Sequence, residues 1–161
     1  MSAYAATRDE IANQLKSVSG IGKVYNHRRH SSEWATFLSR FKDPATGLIN
    51  VTWISRVDDS EAGNGIGSMD EANQFVWVQE DEYWEIETLY GFKDDDDNGS
   101  PSEYGFNTLV DAVEDKFRFL QNLNGKAYMS FPLNRTSSTF GTLGEVLCHR
   151  AVWRLRLQHH L

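Results

Sequence analysis

Apolar side chains follow a helical period in some stretches of the chain and alternate in others. The clearest helical stretch begins at Ser100. Phe106, Leu109, Val110, Val113, Phe117 and Leu120 fall at offsets 0, 3, 4, 7, 11 and 14, one stripe of a 3.6-residue period. Ser100, Pro101 and Glu103 supply an N-cap, a first-turn proline and the glutamate of a capping box. Asn124-Gly125 offers left-handed backbone to stop this helix. Thr7 and Glu10 form a second capping box, which predicts a helix from Thr7 with Ile11, Leu15 and Val18 inward, Gly20 as its stop and Ile21 packing behind it. Trp34, Phe37, Leu38 and Phe41 predict a short third helix, capped by Ser31 or Ser32 and ended by Asp43-Pro44. Its aromatic face reads as core.

Strands show the period of two. Over Leu48–Val57, Ile49, Val51, Trp53 and Val57 alternate with Asn50, Thr52 and Arg56. Phe75–Phe92 exceeds an ordinary strand and divides near Glu80-Asp81. In its second part Trp84, Ile86, Thr88, Tyr90 and Phe92 alternate with Tyr83, Glu85, Glu87 and Leu89. Ala127–Asn134 is a weaker strand whose Pro132 suggests an edge or a bulge, and a loop through Ser137, Gly141 and Gly144 follows. Val146–Gln158 sets Leu147, Ala151, Trp153, Leu155 and Leu157 against Cys148, Arg150, Val152, Arg154 and Arg156. Lys23–His27 adds a short strand. This order predicts an α+β fold, with an antiparallel or mixed sheet of about four to five strands and two main helices on one face. The long helix should cover Trp53, Trp84, Ile86, Trp153 and Leu155.

The 161 residues fit a single domain, 1–161. Asp58–Asn73, polar and glycine-rich, reads as a long mobile loop. One cysteine, Cys148, allows no internal disulfide, and no zinc ligand set is visible. No apolar run is long enough for a membrane span, and the N-terminus lacks the pattern of a signal peptide, so a soluble protein of the cytoplasm is expected. The net charge of −7 is divided unevenly. Asp58–Glu103 holds fifteen acids and one base, a net −14, and the remainder carries a net +7. An acidic chain is poorly suited to general nucleic-acid binding, which depends on neutralising phosphates. Two oppositely charged regions fit contacts with further copies or with a charged neighbour; solvated loops explain them equally simply.

The candidate chemistry is sparse. Asp94, Asp96, Asn98 and Gly99 match the first half of a calcium loop, but the bidentate glutamate is missing: its place is Gly105. A solvated acidic turn facing a helix N-terminus accounts for these charges as well. Gly63–Ser68 lacks the Gly-Lys-Ser/Thr of a phosphate loop and reads as flexible. His27 and His30 have a metal-like spacing without a third ligand nearby, His149 reads as structural, and His159 and His160 read as a frayed end. Cys148 has no recognisable neighbouring base and reads as a buried or semi-buried thiol. Glu85 and Glu87 share a strand face and could form a carboxylate pair. No nucleophile elbow is present. Neither an enzyme nor a cofactor is expected. Arg150, Arg154 and Arg156, with Arg28 and Arg29, could line a DNA-conducting pore by phosphate contact, meet the acidic region of another copy, or form a solvated strand face.

Several segments together resemble the tail terminator, or tail completion, proteins of tailed phages and prophages. These are Ile11-x3-Leu15 leading to Gly20-Ile-Gly-Lys-Val-Tyr25, Leu48–Ile54, Tyr90–Asp94, Asp115–Arg118 and Gly144–Leu157. The resemblance implies an α+β subunit that assembles into a ring, typically six-fold, capping the tail tube and forming the surface on which the head docks. It implies further copies of the chain, the tube and head-completion proteins as partners, DNA only in passage through the ring, no membrane, and a place in the virion tail after assembly in the host cytoplasm. The family is similar in having no catalytic residues, so none is carried over. The chain departs from it in the 58–73 loop and the Asp94–Asp97 turn. With the charge division, the resemblance makes Arg28, Arg29, Arg150, Arg154 and Arg156 candidates for a contact with Asp58, Asp59 and Glu61 of a neighbouring copy. From the residues alone, a cytosolic α+β domain binding a small ligand in a sheet pocket, or an enzyme built on such a pocket, stands as the alternative.

Overall fold

The computed structural model describes residues 3–27, 34–44, 46–57, 79–93 and 100–160. Its strands are β1 (Lys23–Tyr25), β2 (Asn50–Val57), β3 (Gln79–Gly91), β4 (Met129–Ser130), β5 (Asn134–Leu143) and β6 (Val146–His160); its helices are α1 (Ala3–Lys16), α2 (Trp34–Phe41) and α3 (Pro101–Arg118). The strands form one sheet in the order β1-β2-β3-β6, with β4 and β5 both paired to the far side of β6. Only β1–β2 is parallel. The fold is α+β with a mixed sheet, and it has six strands because the 127–143 stretch supplies two.

Pro132 explains that division. Lacking an N–H, it cannot continue a ladder. Met129 and Ser130 pair with Gln158 and Leu157 before it, and pairing resumes after it as β5, from Asn134↔Arg154 to Leu143↔Val146. The expected loop through Ser137 and Gly141 is therefore a strand, with Thr136, Thr139 and Thr142 suited to a pleated edge. Gly144, at φ 61°, opens the two-residue turn into β6 and meets the positive φ that such turns demand. The expected break at Glu80-Asp81 is also absent: β3 pairs with β6 without interruption from Gln79 to Gly91. A partner of 15 residues lets one strand exceed the usual length.

The register sorts side chains to the two faces. Ile54, Trp84, Ile86, Ala151, Trp153, Leu155 and Leu157 lie beneath Ile11 and Leu15 of α1 and Phe106, Leu109, Val110, Val113 and Phe117 of α3. Burying each of the valine, leucine, isoleucine and phenylalanine side chains stabilises the fold by about 1.5–3 kcal/mol. Within this face the hydroxyls of Thr52 and Thr88 satisfy each other at 2.7 Å. Trp53 is not under α3 as expected. It pairs with Glu87, one residue out of step with Ile54↔Ile86, and so belongs to the opposite face. There it packs with Val51, Leu89, Cys148 and Phe41 of α2, its ring 5.6 Å from that of Phe41.

Helix ends depart from expectation in two places. Thr7 is not a cap; α1 begins at Ala3, and Thr7 is buried within it. Glu10 instead accepts hydrogen bonds from Gln14 and, at 2.7 Å, from Asn124. At α3 the Ser100 hydroxyl accepts from the Glu103 N–H at 3.4 Å, as the capping box predicts, but the helix ends at Arg118. The left-handed residues 123–125 form a separate turn beyond it. No helix among the described residues is long and apolar enough to cross a membrane.

Candidate interaction surface

Strand alternation places Asp81, Tyr83, Glu85 and Glu87 of β3 beside Arg150, Val152, Arg154 and Arg156 of β6, on the face away from α1 and α3. The antiparallel register interleaves the two charge sets. Arg150 Nε donates to Glu87 Oε1 at 2.7 Å, and Arg156 donates to Asp81 Oδ2 at 2.9 Å. Arg154 stands directly opposite Glu85, and neither of them lacks a partner. The guanidinium of Arg156 also covers the Phe131 ring at 4.5 Å. The three strand arginines do share one face, but the acids that Arg150 and Arg156 meet are those of β3 in the same chain. Asp81 and Glu87 belong to the acidic 58–103 stretch, so part of the charge division is already matched within the chain. Glu85 and Glu87 do share a face, and Glu87 is turned toward Arg150.

Arg28, Arg29, Asp58, Asp59 and Glu61 lie outside the described residues, as do Asp94, Asp96 and Asn98 of the calcium-like turn, the Gly63–Ser68 stretch, the 58–73 loop, and His30. His27 is exposed, its Nδ1 2.8 Å from the Asn26 side chain. Among the described residues no cluster of three or more His, Cys, Asp or Glu side chains is placed to hold a metal.

A second polar cluster, which the sequence analysis did not identify, lies at the open end of the helix-covered face. Glu82, nearly buried, takes Arg56 Nε at 3.3 Å and His159 Nε2 at 2.9 Å. His159 is thus held in β6 rather than frayed. Beside the pair, Tyr4 stacks on Trp84 at 5.1 Å, and the guanidinium groups of Arg8 and Arg56 each sit 5.7 Å from its ring. Parity was the available signal: Glu82 shares the face of Trp84 and Ile86, and an acid on an apolar face needs a cation.

His149 occupies the third polar cluster. Its ring lies 5.1, 5.5 and 5.0 Å from those of Phe106, Phe92 and Phe140. Its Nε2 is 3.1 Å from Ser102 Oγ. That hydroxyl accepts from the Lys93 N–H and reaches the Lys93 carbonyl, both at 2.8 Å. The Ser100 hydroxyl lies 3.2 Å from the same oxygen, so Ser100, Ser102, Lys93 and His149 form one connected polar group. Burial lowers the His149 pKa, and the charge of Glu103 partly opposes this. A serine beside a histidine has the form of a nucleophile and its base. Here, however, the hydroxyl is buried and bound to Lys93, and the group ties the start of α3 to β6 and to the end of β3. The structural reading of His149 fits this arrangement. Cys148 is a free, buried thiol whose pKa burial pushes up to about 11, against the smaller effect of a hydrogen bond with the Leu143 backbone.

Large apolar side chains are exposed on α3 and along β6. Tyr104 and Phe119 project from the two ends of α3, Tyr128 and Met129 lie beside the Gln158 end of β6, and Phe140 and Leu147 lie near its start. No family model matches the chain, and a search of curated proteins gives no match.

Proposed function

We propose that this chain is a structural subunit of a phage or prophage tail, a tail terminator that assembles into a ring, caps the tail tube and joins it to the head. The segments that resemble that family motivate the reading, and one structural observation supports it. The described surface carries large apolar side chains left in solvent, of the kind that serve subunit packing. Because the strand arginines are engaged by β3, head-to-tail affinity comes from apolar contacts, and the remaining charges steer encounter. The subunit works in the virion tail after assembly in the host cytoplasm.

Light scattering over a range of protein and salt concentrations, alone and with purified tail tubes, tests the reading. Ring-sized species, or saturable binding to tube ends seen by electron microscopy, are the expected result. A protein that forms no ring and ignores tube ends under every condition is not a terminator.

A further inference from the structure

We propose that the outer edge of β5 pairs antiparallel with the same edge of a second copy, joining two sheets about a two-fold axis. β5 has one strand neighbour, β6, and stands at the end of the sheet. The opposite end is β1, only three residues long, which offers little edge to pair. In β5 the turn geometry decides which groups face outward. Leu143 and Val146 flank a two-residue turn, and such a flanking pair exchanges both of its hydrogen bonds. Leu143, Gly141 and Thr139 therefore direct their backbone groups at β6, and Thr142, Phe140 and Ser138 direct theirs away from it. Among the described residues, no turn or loop backbone bonds to that outer edge.

Proteins commonly protect such an edge with lysine, proline, an inward charge or a bulge. From Asn134 to Leu143 there is no lysine, proline or acid, and the one charge, Arg135, is turned to Glu114 at 3.3 Å. The register shift lies between Arg135 and Ser137, so Ser138–Leu143 is left as a regular edge.

A second copy fits this edge by its own symmetry. An axis at Phe140 sets Ser138 opposite Thr142 of the other copy and Phe140 opposite its counterpart, and about six backbone hydrogen bonds then form. Phe140 is more than half exposed, and its ring already touches Phe92 and His149, at 5.9 and 5.0 Å. The second Phe140 would extend this aromatic row as a cross-strand pair. In the same register the charge nearest Arg135 of one copy is Glu145 in the turn of the other, so no like charges are brought together. The contact closes after two copies and does not rest on the ring reading.

Light scattering of the full chain from about 1 µM to about 1 mM, a span that captures weak specific association, should show the mass rise from 18.4 kDa toward twice that value. Hydrogen exchange over the same range should show Ser138, Phe140 and Thr142 amides gaining protection, while Thr139 is protected throughout. Phe140→Lys sets two ammonium groups face to face and should weaken dimerisation at least about tenfold. Ser138→Pro removes an outward N–H without taking a bond from β6 and should do the same with circular dichroism unchanged; if it misfolds, Phe140→Lys decides. A mass that stays monomeric at the highest concentration overturns the proposal. So does a dimer or ring indifferent to Phe140→Lys, or protection of the edge amides by an added extended peptide but not by rising concentration.

Discussion

Ser102 and His149, 47 residues apart in the chain, meet at 3.1 Å, and through that contact the first turn of α3 is fastened to the middle of the sheet. The imidazole lies against three phenylalanine rings and burial lowers its pKa, so the junction is sensitive to protons.

Stability should fall as the solution is made acidic. An unfolded histidine titrates near 6.5, and burial places the folded pKa below that. Between the two values the unfolded chain binds more protons, so stability rises with pH there. The contribution is complete above 6.5, is lost as pH falls through that value, and levels off once the folded imidazole also protonates. Denaturant unfolding at pH 8 and pH 5 measures this. His149→Phe should remove this component of the pH dependence; an unchanged profile would place its origin elsewhere.

Phe117 and Trp153 are both fully buried where α3 meets the sheet. Truncating either to alanine should cost about 3–5 kcal/mol. The loss at Trp153 should lie toward the upper end, since its indole N–H also donates to Glu114 at 2.9 Å. Denaturation midpoints that do not move would contradict this packing.

Asn50 bridges the chain that leads into β1. Its side chain donates to the Gly20 carbonyl and accepts from the Gly22 N–H, both at 3.0 Å. Asn50→Ala leaves those groups without partners and should cost about 1–3 kcal/mol. Gly22→Ala should also destabilise, because a Cβ there would lie 2.1 Å from the Asn50 carbonyl oxygen. Thermal unfolding of both variants is the check, and a Gly22→Ala protein as stable as the parent would refute the close approach.

The pair formed by Arg150 and Glu87 is partly exposed. A double-mutant cycle with alanine at each position should give a coupling of about 0.2–1 kcal/mol that shrinks with added salt. A coupling near zero at low salt would mean that these arginines are available to another molecule after all.

The alternation of Val146–Gln158 and of Tyr83–Phe92 made the faces of β3 and β6 legible, and the stripe from Phe106 to Phe117 identified α3 with its cap. Strand pairing was not legible. Nothing local tells Arg150 that Glu87 will lie beside it, because that depends on the antiparallel register. For the same reason a surface that reads as basic in sequence is largely neutral in the fold. β5 was missed because its threonines and serines alternate in no hydrophobic pattern; its strand state is set by β6 rather than by burial. Thr7 made a plausible cap, but the helix gains a further turn before it, and the Thr7 side chain is buried there.

β6 also governs how the protein folds. It is the common partner of β3, β4 and β5, and it follows all three in the chain. The β5–β6 hairpin is local and can form early, whereas β3 must hold its place across α3 and that hairpin before its partner arrives. Loop closure of that span precedes any gain from pairing, so the ladder between β3 and β6 is the slow step that topology imposes. Until it completes, the edge of β3 away from β2 is open and Trp84 and Ile86 lack their β6 neighbours, and in that interval, more than in the finished fold, the chain should be prone to aggregation.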